Sequence, residues 1–408
     1  MFKLASIFRD ANEEYLVVPT IQRFLKKIGA KSETSWTKAD LITKIEDYAN
    51  SSPAAMEEVN EWLDEILCEG IKEIQIEHRS LKSEMELLFN SEQSIKSYLD
   101  AYLSPNIVHH ICGNDYSASE YQFVRYLIYS GGHGRVIRMI FCKKLHFSEN
   151  KVGVVTTKIV EYPVIAEFYM EQSWLCIRFK MRTGLYHFKS SGFDTSSVRV
   201  SISQEIRDVL HRVDQILGLE VLSTEQNAAQ IRKKLFILLD RYTHTPPQIS
   251  LAMESQKEKI DNLVLQVESV CGLPRGVHNN VEEDIYNLVE KYFSVYWPDP
   301  TVFTLDREAF PIHLSAKDEE SSQVDQRAGF NQPLQSRAVF FDNKRMLYQQ
   351  KSCESIQFFW KKKSSLNPQG EFFPVRIYEE HGRCRFKFSK YTLEEDIQNV
   401  LFSIIDAI

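Results

Sequence analysis

Apolar positions change their period along this chain, and the changes mark its parts. Near the start, Ile21, Phe24, Leu25 and Ile28 recur three and four residues apart, and Gly29 closes the run. That spacing places them on one helical face. Leu41, Ile42 and Ile45 form a second stripe behind Thr37, a suitable N-cap. Residues 51–118 continue as an acidic helical arm. There Val59, Trp62, Leu63 and Leu67 supply an apolar face beside Glu57, Glu58, Glu61, Asp64 and Glu65, and a further helix is predicted over residues 74–89. From residue 119 the period shifts to two. Residues 124–129, 135–144, 155–170 and 174–182 read as four strands, the first pair joined by Ser130-Gly131-Gly132-His133-Gly134. Pro163 suits an edge or a bulge. A helix over 203–217 closes this block. Helical stripes return at 228–242, 256–270 and 281–297, whereas 299–335 reads as loop-rich, with 317–322 as a mobile stretch.

The strand block then recurs. Tyr162-Pro163-Val164 leading to Cys176-Ile177-Arg178-Phe179-Lys180 matches Phe373-Pro374-Val375 leading to Cys384-Arg385-Phe386-Lys387. Both blocks end in an acid-led amphipathic helix, Glu205-Ile206 into Val209-Leu210 and Glu394-Glu395-Asp396-Ile397 into Val400-Leu401. In the second copy, residues 338–341, 356–362, 371–380 and 383–390 stand for strands one to four. The expected fold is α+β: a small helical N-terminal module (1–50), a helical arm (51–118), and two copies of an antiparallel β-meander with a C-terminal helix (119–218 and 336–408). A helical insert (219–335) separates the copies, whose sheets are expected to pack as a pseudo-two-fold platform.

Period-two alternation gives each fourth strand a row of cations. Arg178, Lys180 and Arg182 share one face in the first copy, and Arg383, Arg385 and Lys387 share one face in the second. A spacing of about 7 Å along a strand resembles that of successive phosphates on one nucleic-acid strand. Two readings compete with phosphate contact: an ordinary solvated sheet face, with Glu161, Glu167, Glu379 and Glu380 as ion-pair partners, and a protein-partner surface.

The N-terminal stripes carry a family resemblance. Ile21, Leu25 and Ile28-Gly29, followed by Thr37-Lys38-Ala39-Asp40-Leu41-Ile42-Thr43-Lys44-Ile45, resemble the SAP module over about residues 16–49. That module is a helix–turn–helix-like DNA-binding unit. The turn 31–36 is longer than the family's. The resemblance implies DNA contact through Lys31, Lys38 and Lys44, with Lys26 and Lys27 nearby.

Composition narrows the classes. The chain has 408 residues, 43% hydrophobic and 26% charged, with net charge −7. Such a length suits several domains, and the acidic balance excludes a protein coated on all sides by nucleic acid while allowing a local basic face. Seven cysteines without a Cys-x-x-Cys pair fit a reducing compartment, cytoplasmic or nuclear. No apolar run reaches the roughly 18–20 residues of a membrane helix. His109, His110 and Cys112 lack a second ligand pair, so no metal site is expected, and no cofactor loop or catalytic motif is present. The leading expectation is a nucleic-acid-binding component, with DNA as partner, of a larger assembly of the genome-defence or chromosome-associated kind. A protein-interaction scaffold holding other subunits, and an enzyme with a site assembled between the repeats, are the alternatives.

Overall fold

The computed structural model describes all residues except 10–14, 31–35, 104–109, 114–115, 118, 152–153, 189–196, 222, 274–279, 318–322, 330–331, 365–370 and 406–408. Lys31, His109 and most of the stretch 317–322 therefore lie outside the described residues. The helices are α1 (Ser6–Arg9), α2 (Val18–Lys27), α3 (Lys38–Ala49), α4 (Pro53–Cys68), α5 (Ser83–Leu88), α6 (Glu92–Leu103), α7 (Ile202–Leu217), α8 (Thr224–Thr243), α9 (Pro247–Glu254), α10 (Lys257–Cys271), α11 (Val281–Val295), α12 (Ala338–Gln350) and α13 (Glu394–Ile405). The strands are β1 (Glu73–Leu81), β2 (Gln122–Gly131), β3 (Gly134–Lys151), β4 (Val154–Tyr169), β5 (Trp174–Phe179), β6 (Leu185–His187), β7 (Leu219–Val221), β8 (Ala309–Lys317), β9 (Gln323–Arg327), β10 (Ser355–Lys361), β11 (Phe372–Glu380) and β12 (Arg383–Phe388). The fold is α+β, and its strands pair antiparallel. Two compact units result, one built mainly from Met1–Asn227 with Gly382–Gln398, the other mainly from Ala228–Lys363 with Gln369–His381 and Asn399–Ile408.

In the first unit the strand order is β2-β3-β4-β5-β1-β12, with β6 beside β3 and β7 beside β1. Alternation along β3 and β4 serves two cores. Ile137, Met139, Phe141, Val164, Ala166 and Phe168 face α6 and α7, where Leu99, Val209 and Val213 are fully buried. Ile140, Cys142 and Ile165 face the opposite way, into a core shared with Ile21, Leu25, Leu41 and Ile45 of α2 and α3 and with Val59, Leu63 and Leu67 of α4. Phe24 stacks on Trp62 with ring centroids 4.2 Å apart. The N-terminal module and the helix after it thus share one core with the sheet. Thr37 caps α3 as expected: its hydroxyl accepts from Asp40 N at 3.3 Å while the Asp40 carboxylate accepts from Thr37 N at 2.8 Å. Gly134 opens β3 at φ 86°, and a Cβ there would lie 2.2 Å from the Glu171 carboxylate that accepts from Arg135 N.

Several expectations are corrected. Residues 74–89 do not form one helix; they hold β1 and then the short α5. Ile74 and Ile76 alternate with Glu73, Gln75, Glu77 and Arg79, a period of two that the high charge disguises as a solvated helix. The fourth strand of the first copy, β5, stops at Phe179, so Lys180 and Arg182 lie beyond it and the alternation argument does not reach them. Pro163 does sit at an edge position: β4 pairs with β5 only from Ile165 onward.

In the second unit β11-β10-β8-β9 form the strand order. The loop-rich reading of 299–335 is overturned by β8 and β9. Pro311 argues against a strand, yet it pairs with Phe358 where the ladder shifts register between Gln357 and Phe358, a place that tolerates a missing N–H. Residues 338–341 are the first turn of α12, burying Phe340 and Phe341; a four-residue apolar run fits either structure. Residues 336–408 therefore hold three strands and a closing helix, with a helix where their first strand was expected.

Candidate nucleic-acid interface

Ten of the eleven cations singled out from the sequence lie among the described residues, and they have three fates. Arg178 is 1% exposed. Its Nε donates to Glu167 Oε2 at 2.7 Å, its Nη1 to the Cys68 carbonyl at 3.2 Å, and its Nη2 to Glu394 Oε1 at 2.9 Å. Arg138 donates from Nε to the other Glu167 oxygen at 2.7 Å and reaches Tyr129 Oη at 3.2 Å. Tyr129 Oη also donates to Glu167 at 3.1 Å. Burial by itself would raise the Glu167 carboxyl, but the guanidiniums of Arg178 and Arg138 outweigh it and hold the group well below the usual carboxylate range. Two arginines and two glutamates compensate one another in this buried cluster.

Lys180 and Arg182 are held by rings. The Lys180 ammonium lies 5.0 Å from the Tyr15 centroid, and the Arg182 guanidinium lies 3.5 Å from that of Phe147. In β12, Arg383 Nε meets Glu77 at 2.8 Å, Arg385 Nη1 meets Glu73 at 3.6 Å, and Lys387 Nζ meets Glu73 at 3.8 Å. These three do share a face, as alternation requires, but β1 places a row of buried carboxylates beside them. The two copies also differ in aim. Ile74 lies opposite both Arg178 and Phe386, while Arg385 lies opposite Gln75. Arg178 and Arg385 therefore project from opposite faces of the sheet.

The module's lysines are the third group. Lys26 and Lys27 are exposed on the last turn of α2, and Lys27 approaches Glu58 at 3.8 Å. Lys38 opens α3 half-exposed; Lys44 is exposed, with its ammonium 5.7 Å from the Trp36 ring centre. Sequence reasoning passed over Arg23, also exposed. Arg23, Lys26 and Lys27 stand at i, i+3 and i+4 and so share one helix face, a spacing readable in the sequence. Opposing them in charge, α4 exposes Glu57, Glu61 and Glu65 at intervals of four.

Other chemistry is sparse. Among the described residues no cluster of three metal-ligating side chains occurs; His110 instead pairs with Glu57 at 3.0 Å. A cavity of about 500 Å³ is lined by Tyr121, Lys143, Asp208, His211 and Arg212. Lys143 is committed to Glu205 at 2.9 Å, which makes it a fixed charge in the wall rather than a nucleophile. Burial pushes the Cys68 and Cys112 thiols up to about 12, so both stay protonated and inert. All seven cysteines are free. Among the described residues no helix is long and apolar enough to cross a membrane. No protein-family model matches the chain, and no curated protein sequence matches it.

Proposed function

We propose that the chain binds DNA through its N-terminal module, as one component of a larger assembly. The observation that supports this reading is the exposed face of α2 formed by Arg23, Lys26 and Lys27, with Lys38 and Lys44 on α3 as further contacts. Phosphate contact needs cations that can leave water without leaving a carboxylate behind. Arg178, Arg383 and Arg385 fail that condition, because the buried carboxylates of Glu73, Glu77 and Glu167 pair with them, whereas the approach of Lys27 to Glu58 at 3.8 Å joins two side chains that are both open to water. The platform of paired strands therefore drops out of the interface, and the module remains. Free thiols agree with a reducing compartment, cytoplasmic or nuclear.

Binding to duplex DNA across a salt series tests the proposal. Affinity is expected to fall linearly on logarithmic axes, with a slope of about 0.9 per phosphate contact. Charge reversal at Arg23, Lys26 and Lys27 together is expected to reduce that slope by about 2–3 with an unchanged circular dichroism spectrum. Absence of binding at low salt, or binding that the triple reversal leaves intact, would overturn it.

A further inference from the structure

α11 leaves the centre of an apolar stripe open to solvent, with Val281, Ile285 and Val295 half-buried around it. Its buried face is polar: Glu290 accepts from Thr245 Oγ1 at 2.6 Å and pairs with Lys344 Nζ at 2.5 Å, Asn287 Nδ2 donates to the Phe341 carbonyl at 3.0 Å, and Ser294 is buried beside them. Asp284 and Lys291 add pairs to Arg345 and Asp342 at the margin. The opposite face is apolar. Val281, Ile285, Leu288, Tyr292 and Val295 follow one another at intervals of four, three, four and three, which is the a/d seam of a coiled coil. Leu288 is 43% exposed and Tyr292 is 54% exposed at the centre of that seam. A helix normally turns its apolar stripe toward its own core; here the polar side meets α12, Tyr286 donates to Asp261 of α10 on one flank, and Leu288 and Tyr292 stay exposed.

We propose that this seam is an interface with a second copy of the chain, two α11 helices pairing antiparallel about a two-fold axis. The seam complements itself. With the axis between residues 286 and 287, Ile285 packs on Leu288 of the second copy and Tyr292 on Val281 of the second copy. The same axis brings Asp284 within two residues, about 3 Å along the helix, of level with Lys291 of the second copy, twice, because an isologous contact repeats every pair. Opposite charges flanking an antiparallel seam select that partner and orientation. Leu288, Tyr292 and Tyr296, with Leu263 and Val270 on the adjoining α10, are all exposed and supply apolar side chains to an interface that in standard complexes covers about 800 Å² per partner. A dimer would also carry two N-terminal modules, but the interface stands on α11 whether or not the module binds DNA.

Sedimentation of the full chain at about 50 µM, a concentration well above the dissociation constant of a specific dimer, is expected to show a dimer. Leu288→Asp combined with Tyr292→Glu, both at exposed positions, is expected to weaken it at least about 100-fold while the circular dichroism spectrum stays unchanged. Asp284→Lys and Lys291→Glu are each expected to weaken self-association, and a mixture of the two variants to restore a heterodimer. Loss of a pair inside one copy could not produce that recovery on mixing. A monomeric wild-type chain, a dimer indifferent to the seam variant, or failure of the mixture to recover would each overturn the interface.

Discussion

Arg-Phe-Lys occurs twice, at the end of β5 running into Lys180 and inside β12, and is used differently. In β5, Arg178-Phe179-Lys180 puts its arginine opposite Ile74, on the face shared with Glu167; in β12, Arg385-Phe386-Lys387 puts its arginine opposite Gln75, on the face shared with Glu73. Both strands pair with β1, one on each side, and a one-residue difference in register sends equivalent side chains to opposite faces. Arg178 becomes fully buried and is held by two carboxylates and a carbonyl. In β12, Arg385 is also buried, 8% exposed, but its pair to Glu73 is longer, at 3.6 Å, and Lys387 is exposed. The difference teaches that a repeated string need not repeat an environment, because a strand's neighbour decides which face is core.

The largest effect is expected at Arg178. Arg178→Met removes a partner from two glutamates and should cost about 3–5 kcal/mol, read as a lower denaturation midpoint of the first unit. Arg385→Met should cost less, about 1–3 kcal/mol, because Lys387 still faces Glu73. Equal losses would break the contrast between the strands. Lys72, just before β1, probes buried charge in the same region. Its ammonium lies 4.9 Å from the Tyr15 ring centre, and burial, with Arg178 and Lys180 adding repulsion, pulls its pKa down from 10.5 to about 7. The folded chain therefore binds this proton more weakly than the unfolded chain does. Its contribution to stability is complete above about pH 10.5 and is lost as pH falls toward 7. Lys72→Met should raise stability by about 1–3 kcal/mol, more at pH 6 than at pH 9, as measured by chemical denaturation at the two pH values. A gain independent of pH would show that the ammonium is solvated. The smallest effect belongs to Lys387, whose side chain is 55% exposed. Lys387→Ala should change stability by less than about 0.5 kcal/mol, and a loss comparable to that of Arg178→Met would make β12 as closed as β5.

Much of the local structure was readable. The stripes Ile21-Phe24-Leu25 and Leu41-Ile42-Ile45, the Thr37 cap, the hairpin at Gly131–Gly134 and the helix α7 needed only neighbours within a turn or two, and they stand where the spacing put them. The α+β class followed from the same periods. The basic face of α2 was readable too, since Arg23, Lys26 and Lys27 keep helical spacing.

Other features depended on residues far away in the chain. Glu73, Gln75, Glu77 and Arg79 look like a solvated run until β12 supplies Arg383, Arg385 and Lys387 beside them. Phe340 and Phe341 fit a strand or a helix until their surroundings choose. Register between strands, and with it the burial of Arg178 against Glu167 and Glu394, is set by pairing across long loops that leaves no mark on local spacing. By itself the sequence determined which segments are helical or extended where charge and length left no ambiguity, and which side chains could share a face. Tertiary structure alone decided which faces meet water, because burial and the cancelling of charge are properties of neighbours in space.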